Sequence, residues 1–385
     1  IAQCLVFDNS QTRLAVFTMD LCKIYQRELQ AFQDAAAEVG IPPQHVLVNW
    51  SHTHCGPHLS REESAEYREV FAERTRPLVR QAVDNLEPAV LDYTVGSCTM
   101  AVNRRQLDEN HKCVGMRPDP RRQIDPDVPV LRVLSPEGTV RAVIFGYACH
   151  PTTMGGYEIG TDYPGFARDW IEAAYPEAEA VFMQGCGGDI KPRYTKPNGR
   201  FGYVLISEKE TVAEVGHQLG RAVVTATCVP PSPVPADRPE DLELAAAYPV
   251  FLGGIAEKVH VPDKDTEGEY HTIYNGAWRI GDVYFFGSQC EIGAKIGLRI
   301  KEALSDVRCW TNGYSFWGGG YLMDAEAYPK GGYEADSATT LAPGTDSILV
   351  SNAIRYIREL QNQPIHEDPI PDPDAEEAED EEAKE

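Results

Sequence analysis

Short apolar segments alternate along the chain with longer segments of helical periodicity, and this alternation limits the fold more than any other feature of the sequence. Such alternation is typical of an α/β domain with mixed strand pairing. The predicted strands are residues 4–8, 13–20, 45–50, 90–103, 129–134, 140–149, 180–184, 242–247 and 272–288. The predicted helices are residues 21–39, 60–85, 164–174, 207–228, 292–304 and 346–360, and residues 107–127 are expected to form a loop. We therefore expect a single large mixed-sheet domain with flanking helices.

The composition divides the 385 residues into a domain and a tail. Residues 1–365 carry the periodic segments, and the five prolines of residues 228–239 predict a subdivision or linker there. Residues 366–385 contain eleven acidic residues against one lysine, which is a composition typical of a disordered segment.

Charge and cysteine content exclude several classes of protein. The formal net charge of −24 argues against a nucleic-acid partner, since phosphate contacts require clustered lysine and arginine. No segment approaches the roughly 18 consecutive apolar residues of a membrane span. The ten cysteines form no CxxC pair, so we expect neither a disulfide scaffold nor a structural zinc knuckle. Unpaired cysteines favour a cytoplasmic location, although a secreted or periplasmic one is compatible with removal of a leader before Ile1. Nothing in the sequence indicates an oligomeric state.

The first candidate site is a pair of histidines after the apolar segment 45–50. His52 and His54 are two residues apart, so on an extended backbone both imidazoles point to the same side. Gly56 and Pro57 then turn the chain away at a strand end, where α/β proteins usually bind ligands. The spacing fits a metal site, and it also fits two histidines at the edge of the core.

Other polar residues also follow predicted strands. His150 ends the strand 140–149 and precedes a glycine-rich loop, and Asp189 ends the segment GCGGD that follows the strand 180–184. Those glycines fit a tight turn or a close backbone approach, and they fit a phosphate-binding loop less well because no GK[ST] sequence follows. Glu291 lies between a strand and a helix, where it is either a favourable charge at the helix N-terminus or a metal ligand.

These segments together resemble the neutral/alkaline non-lysosomal ceramidase family. The segment SHTHCGP resembles SHTHSGP of that family, and further motifs follow in the family's order over roughly residues 13–335. They are ACHPT at 148–152, DYPG at 162–165, QGCGGD at 184–189, GYL at 320–322 and YE at 333–334. The resemblance implies the family's catalytic domain. The immunoglobulin-like domain that follows it in ceramidases has no counterpart before the acidic tail, and the family's opening strand is missing or truncated here.

The resemblance implies a zinc site and assigns residues to it. By motif, the zinc ligands are His52, His150, Glu291 and Tyr321, and Tyr314 lies in the same loop as Tyr321. Two imidazoles and a carboxylate leave room for a water or a substrate oxygen, as a hydrolytic zinc requires. His54 is then expected to face the substrate carbonyl, and Arg104 resembles a substrate-contacting arginine.

One position departs from the family in a way that concerns the substrate. Ceramide-cleaving members have a serine in the pattern GDxSP, and Lys191 occupies that position in the segment GDIKP. A lysine there indicates a more polar or anionic substrate than ceramide. It could bind a substrate carboxylate or phosphate, protonate a leaving amine, or be an ordinary surface residue.

The predicted function is metal-assisted hydrolysis of the amide bond of a small or lipid-like N-acyl substrate. Asp189 or Asp20 could accept the proton of the attacking water, and His54, Arg104 or Tyr321 could stabilise the oxyanion. Asp20 could equally be a simple helix cap. Three alternatives stay open: a carbohydrate deacetylase or esterase, a non-catalytic relative that binds metal or ligand, and, with the least support, a nucleotide-binding protein.

Overall fold

A computed structural model describes residues 1–205, 208–228 and 250–362. Its helices are α1 (Gln26–Ala37), α2 (Ala65–Thr75), α3 (Leu78–Asp84), α4 (Tyr163–Ala174), α5 (Lys209–Thr227), α6 (Ala294–Ala303) and α7 (Thr345–Asn362). The first strands are β1 (Ala2–Asp8), β2 (Arg13–Met19), β3 (Val46–Trp50), β4 (Val90–Ser97), β5 (Ala101–Leu107), β6 (Cys113–Asp119), β7 (Asp127–Leu134) and β8 (Val140–Tyr147). The later strands are β9 (Glu179–Gln184), β10 (Ile190–Pro192), β11 (Leu252–Pro262), β12 (Tyr270–Ile280), β13 (Val283–Ser288), β14 (Glu291–Ile292), β15 (Arg308–Asn312) and β16 (Tyr321–Leu322). The expected α/β class with mixed sheets and flanking helices is confirmed.

The strands form several small sheets of mixed pairing. Their orders are β1-β2-β3, β4-β7-β8-β9, β10-β5-β6, β11-β12-β13-β15 and β14-β16. The pairs β2–β3, β8–β9, β13–β15 and β14–β16 are parallel, and the other pairs are antiparallel. Parallel neighbours end at the same edge of a sheet, so their following loops can meet there.

Burial explains why the central strands were visible in the sequence. Every residue of β3 is buried, as is every residue of β9 after Glu179. Strands buried on both faces have near-continuous apolar sequences. α4 begins as predicted, because Asp162 caps it and Pro164 lies in its first turn.

The buried side chain of Asn49 ties three sheets together. Its Nδ2 donates to the carbonyl oxygens of Gln184, at the end of β9, and Gly313, after β15, at 3.2 and 3.0 Å. Its Oδ1 accepts from the backbone N–H of Gln184 at 2.8 Å. These bonds place the ends of β3, β9 and β15 side by side, and the candidate site lies at those ends.

The structure corrects several sequence predictions. The expected helix 60–85 is two helices, α2 and α3, and the expected strand 272–288 is an antiparallel pair, β12 and β13. The expected strand 90–103 is two strands, β4 and β5, which belong to different sheets. Residues 107–127, expected to be a loop, contain β6, and the strand β11 was not predicted. The predicted strand 242–247, most of the linker 228–239 and the tail 366–385 lie outside the described residues.

The helices and the cysteines of the described residues can be compared with what the composition predicts. None of their helices combines the length and hydropathy needed to cross a bilayer. All ten cysteines are free thiols, five of them buried.

Candidate metal centre and active site

The predicted metal ligands lie at the carboxyl ends of neighbouring strands. His52 follows β3 and His150 follows β8, while Glu291 begins β14 just after β13. β14 pairs with β16 so that Glu291 stands directly opposite Tyr321. The fold therefore brings together side chains that are far apart in the chain.

Three of these side chains converge on one point. The Nε2 atoms of His52 and His150 lie 3.3 and 3.2 Å from the Oε2 atom of Glu291, and the three ligand atoms lie within 4.8 Å of one another. The hydroxyl of Tyr321 lies 3.1 Å from Nε2 of His150. Two imidazoles and a carboxylate aimed at one point could hold a single zinc ion and leave a coordination position open.

The outer nitrogens of both imidazoles are held by the backbone. Nδ1 of His52 donates to the carbonyl of Cys22, and Nδ1 of His150 donates to the carbonyl of Gly187, each at 2.7 Å. When either ring is neutral, its proton is on Nδ1 and the lone pair of Nε2 points inward, toward Glu291. Metal-binding histidines in proteins are oriented by this kind of contact, so the donor set fits a divalent cation.

Within the cluster, His52 and Glu291 form a buried pair of opposite charges. Burial opposes ionisation of both His52 and Glu291, but their mutual attraction outweighs it. The pKa of His52 is raised to about 9, and the pKa of Glu291 is held well below its usual range. Burial, followed by the charge of Arg104, keeps the pKa of His150 well below its usual value, so this ring is neutral.

A second group of ligand-type atoms adjoins the first. The donor atoms of Cys22, His52 and His54 also lie within 4.8 Å of one another, and Nε2 of His54 lies 3.2 Å from Nε2 of His52. His54 is exposed at the opening of the cluster. Its pKa is lowered by desolvation and then by the charge of His52, so its ring is neutral.

The glycines of the GCGGD segment serve close backbone packing. A Cβ atom on Gly187 would lie 2.6 Å from the backbone nitrogen of Cys149, and one on Gly188 would lie 2.6 Å from the carbonyl oxygen of Glu291. The segment is therefore inserted between the two backbones that carry His150 and Glu291. This packing supports the close-approach interpretation of these glycines and not the phosphate loop.

Gly188→Ala is expected to push the backbone of Glu291 away from the cluster. Because the obstructing atom belongs to the backbone, the free energy of unfolding should fall by about 1–3 kcal/mol, as in overpacked cores, and zinc affinity should fall with it. Chemical denaturation and metal titration measure both quantities. Gly56→Ala is the matched control, since its Cβ would meet no atom closer than 3.6 Å. Equal losses in the two variants would contradict this packing role.

A buried ion network fixes Arg104 beside Tyr321. Glu334 accepts from Nε of Arg104 and from Nη1 of Arg105, both at 2.6 Å, and Arg104 donates through Nη2 to the hydroxyl of Tyr321 at 3.0 Å. All four side chains are buried. The network holds a positive charge against the phenol at the edge of the cluster.

Lys191, at the position of the family's serine, is buried rather than on the surface. It lies on β10, and its ammonium is 5.1 Å from the ring centre of Phe201 and 4.9 Å from that of Tyr203. Burial lowers its pKa to about 8, and the charge of Arg104 adds to the effect. At neutral pH most of the amine is therefore protonated.

The two predicted proton acceptors lie outside the cluster. Asp189 accepts from Nδ2 of Asn103 at 2.7 Å and from the backbone N–H of Ala294 at 2.8 Å, which caps α6. Asp20 forms a buried ion pair with Arg168 at 2.5 Å. The contacts of both carboxylates therefore hold elements of the fold together.

Sequence reasoning missed some residues of the site. The carbonyl of Cys22 holds His52, and Glu334 was noted only as part of a motif. Tyr314, considered beside Tyr321, also reaches the cluster, with its hydroxyl 3.5 Å from the ring nitrogens of His150. The assumed extended backbone at His52 is wrong, since its φ is +64°, yet the rings of His52 and His54 still meet, 4.9 Å apart.

The fold and the cluster define a mixed α/β domain with a histidine–carboxylate site at its strand ends. Compared by sequence, the chain matches no protein-family model and no curated protein. Among solved structures it is similar to a neutral ceramidase from Pseudomonas aeruginosa, with a TM-score of 0.72, 18% identity, and coverage of 95% of this chain and 69% of that one. It is also similar to a ceramidase complexed with C2, with a TM-score of 0.70, 17% identity, and coverage of 96% and 75%. The chain therefore has the neutral-ceramidase-like fold.

Proposed function

We propose that the chain is a zinc-dependent hydrolase that cleaves the amide bond of N-acyl substrates with an apolar acyl chain. The observation that carries this proposal is the convergence of His52, His150 and Glu291, with the outer nitrogen of each imidazole held by a backbone carbonyl. The fold shared with ceramidases supports amide cleavage as the reaction. A zinc ion in this site would supply Lewis acidity and lower the pKa of water toward neutrality.

The residues around the cluster divide the remaining work of amide hydrolysis. Arg104 and Tyr321 form a donor pair beside His150, positioned to stabilise negative charge that develops on a carbonyl oxygen. We assign proton transfer to His54, because its neutral ring faces the opening. Asp189 and Asp20 then serve to position the backbone.

Exposed apolar side chains near the opening support an apolar acyl chain. The loop after His150 is joined to the SHTHCGP segment, since the N–H of Gly160 donates to the carbonyl of Cys55 at 2.8 Å. The same loop is also joined to the segment around Val204, because the N–H of Val204 donates to the carbonyl of Thr153 at 2.9 Å. The loop after His150 and the segment around Val204 together expose four apolar side chains. We call this group the rim, and it consists of Tyr157, Ile159, Tyr203 and Leu205.

The experiment combines a zinc measurement with a substrate panel. We expect stoichiometric zinc and zinc-dependent hydrolysis of acetyl, octanoyl and palmitoyl ethanolamides, with kcat/KM rising with chain length. Ile159→Asp and Leu205→Asp should lower kcat/KM for the palmitoyl substrate by about 10-fold, which is the effect of losing roughly one buried aliphatic contact, and leave the acetyl substrate unchanged. Val70→Asp, at an exposed position of α2, is the matched control.

Other outcomes would replace the proposal. Release of acetate from acetylated sugars, with no amide cleavage of long-chain substrates, would identify a carbohydrate deacetylase. Cleavage restricted to esters would identify an esterase. Bound zinc with no turnover on any member of the panel would identify a non-catalytic relative.

A further inference from the structure

The side chain of Lys191 is buried, and its ammonium has no counter-ion among the described residues. The side chain is 4% exposed. Within residues 1–205, 208–228 and 250–362, the ammonium forms no hydrogen bond or ion pair. Buried lysines are almost always paired, because an uncompensated charge is costly away from water.

The immediate neighbours of this ammonium attract it only weakly. The rings of Phe201 and Tyr203 lie at cation–π distance, 5.1 and 4.9 Å from their centres. A ring face attracts a cation but does not replace the hydrogen-bond acceptors that the three N–H groups of an ammonium require. The aromatic pair therefore positions the ammonium and leaves its donors available.

The other charged groups in this region already have partners. Arg104 is paired with Glu334 at 2.6 Å. Asp162, a carboxylate whose charge acts on Lys191, accepts from the backbone N–H groups of Thr153 and Met154 at 2.8 and 2.7 Å. Lys191 thus differs from its charged neighbours in lacking a partner among the described residues.

Strand register places Lys191 beside the metal cluster. β10 pairs with β5 so that Lys191 stands opposite Val102, and Arg104, two residues further along β5, shares that face of the sheet. The N–H of His150 donates to the carbonyl of Ile190 at 3.1 Å. The backbone of Lys191 therefore lies next to the strand end from which His150 reaches the cluster, and the charge of Lys191 acts on His54.

We propose that Lys191 binds an oxyanion, a carboxylate or phosphate, that the substrate carries close to its scissile amide. The preferred substrate class is then an anionic N-acyl amine, cleaved faster than a neutral N-acyl amino alcohol. This inference rests on the proposed amide hydrolysis for its substrate class, while the anion site itself rests on Lys191, Phe201 and Tyr203.

The first test compares substrates that share one acyl chain and differ in the amine. The probes are octanoylglycine, octanoylethanolamine phosphate and the neutral octanoylethanolamine. The zinc-loaded protein should cleave at least one anionic substrate with kcat/KM about 10-fold or more above the neutral one. Lys191→Met should remove this preference by raising KM for the anionic substrate, and Lys191→Arg should keep part of it. Lys196→Met, at an exposed lysine of the same segment, is the matched control. The ratio of the two anionic substrates distinguishes carboxylate from phosphate.

The second test measures binding without turnover. In 4-oxoundecanoic acid, a methylene replaces the amide nitrogen of octanoylglycine, and the corresponding primary alcohol is its neutral counterpart. Calorimetry should show at least about 10-fold tighter binding of the acid to the wild type, and equal binding of acid and alcohol to Lys191→Met. Equal binding of both to the wild type would overturn the anion site. If Lys191 discriminates in binding but no amide is cleaved, the proposed hydrolase function fails and the anion site stands.

Discussion

Replacing His150 by alanine should abolish stoichiometric zinc binding and lower amide hydrolysis on the order of 10³-fold or more, since the variant removes a proposed ligand and with it the ion that would activate water. His150 is 1% exposed, and its Nε2 lies 3.2 Å from Glu291. No described side chain offers another nitrogen at that position. His52→Ala should behave in the same way. Metal content after dialysis and single-turnover hydrolysis measure the two effects.

The control for this prediction is a histidine outside the site. His260 is exposed on β11 and bonds to Thr272, so His260→Ala should keep both zinc and activity. A His150→Ala protein that is folded by circular dichroism and retains one zinc per chain would show that the metal lies elsewhere. Zinc retained by His150→Ala but lost by His52→Ala and by a Cys22 variant would favour the second group of donors.

Replacing Glu334 by glutamine should lower both stability and turnover. The carboxylate is 1% exposed and neutralises two arginines that are 3% and 1% exposed. Removing one partner of a buried ion pair leaves uncompensated charge and costs about 3–5 kcal/mol of unfolding free energy. Arg104 would also lose the contact that holds it against Tyr321, so kcat should fall more than KM rises. Urea denaturation and steady-state kinetics check the two parts.

Two further variants test whether the effect of Glu334→Gln comes from its buried ion pairs: one breaks an ion pair on the surface, and the other adds a substitution at Arg105. Glu257→Gln removes a half-exposed partner of Arg355 and should cost no more than about 1 kcal/mol. Adding Arg105→Met to Glu334→Gln removes one of the two unpaired guanidinium groups and should recover part of the stability. A Glu334→Gln variant as stable as the Glu257→Gln variant would contradict the assigned role.

The same network predicts an acid-sensitive contribution to stability. Burial alone would raise the pKa of Glu334, but the charges of Arg104 and Arg105 outweigh it and hold the pKa below the ordinary 4.5. A carboxyl whose folded-state pKa is depressed stabilises the fold fully above its unfolded pKa. This contribution is lost as the pH falls from about 4.5 through the folded value, and Glu334→Gln should flatten that part of the stability profile.

Strands with a strong burial signal were predictable, and strands without one were not. β3 and β9 are apolar and buried, so their positions follow from hydropathy. β6 is largely exposed, contains Pro118, and includes Gly115 at a φ of +100°. β6 is held by backbone pairing with β5, and no local sequence pattern indicates that pairing.

The sequence likewise predicts some features of the candidate site and not others. His52, His54 and His150 stand out because each follows an apolar strand at a chain reversal, and the order of motifs adds Glu291 and Tyr321. Distances between them depend on contacts of long sequence separation that periodicity does not encode. The bond between Arg104 and Glu334 spans 230 residues. The contacts of Asp189 with Asn103 and Ala294 likewise join segments that are distant in the chain, and they tie its carboxylate to β5 and to the start of α6.

The amide of Asn49 has a consequence for the order of events in folding. It joins segments that are 135 and 264 residues away in the chain, and the proposed ligands His52, His150 and Glu291 lie close to the joined segments. Contacts of such high sequence separation form slowly, because the intervening chain must be closed into loops first. The cation-binding geometry therefore arises late, when all three segments have met. Zinc uptake during refolding would then follow completion of the tertiary structure and not the earlier collapse.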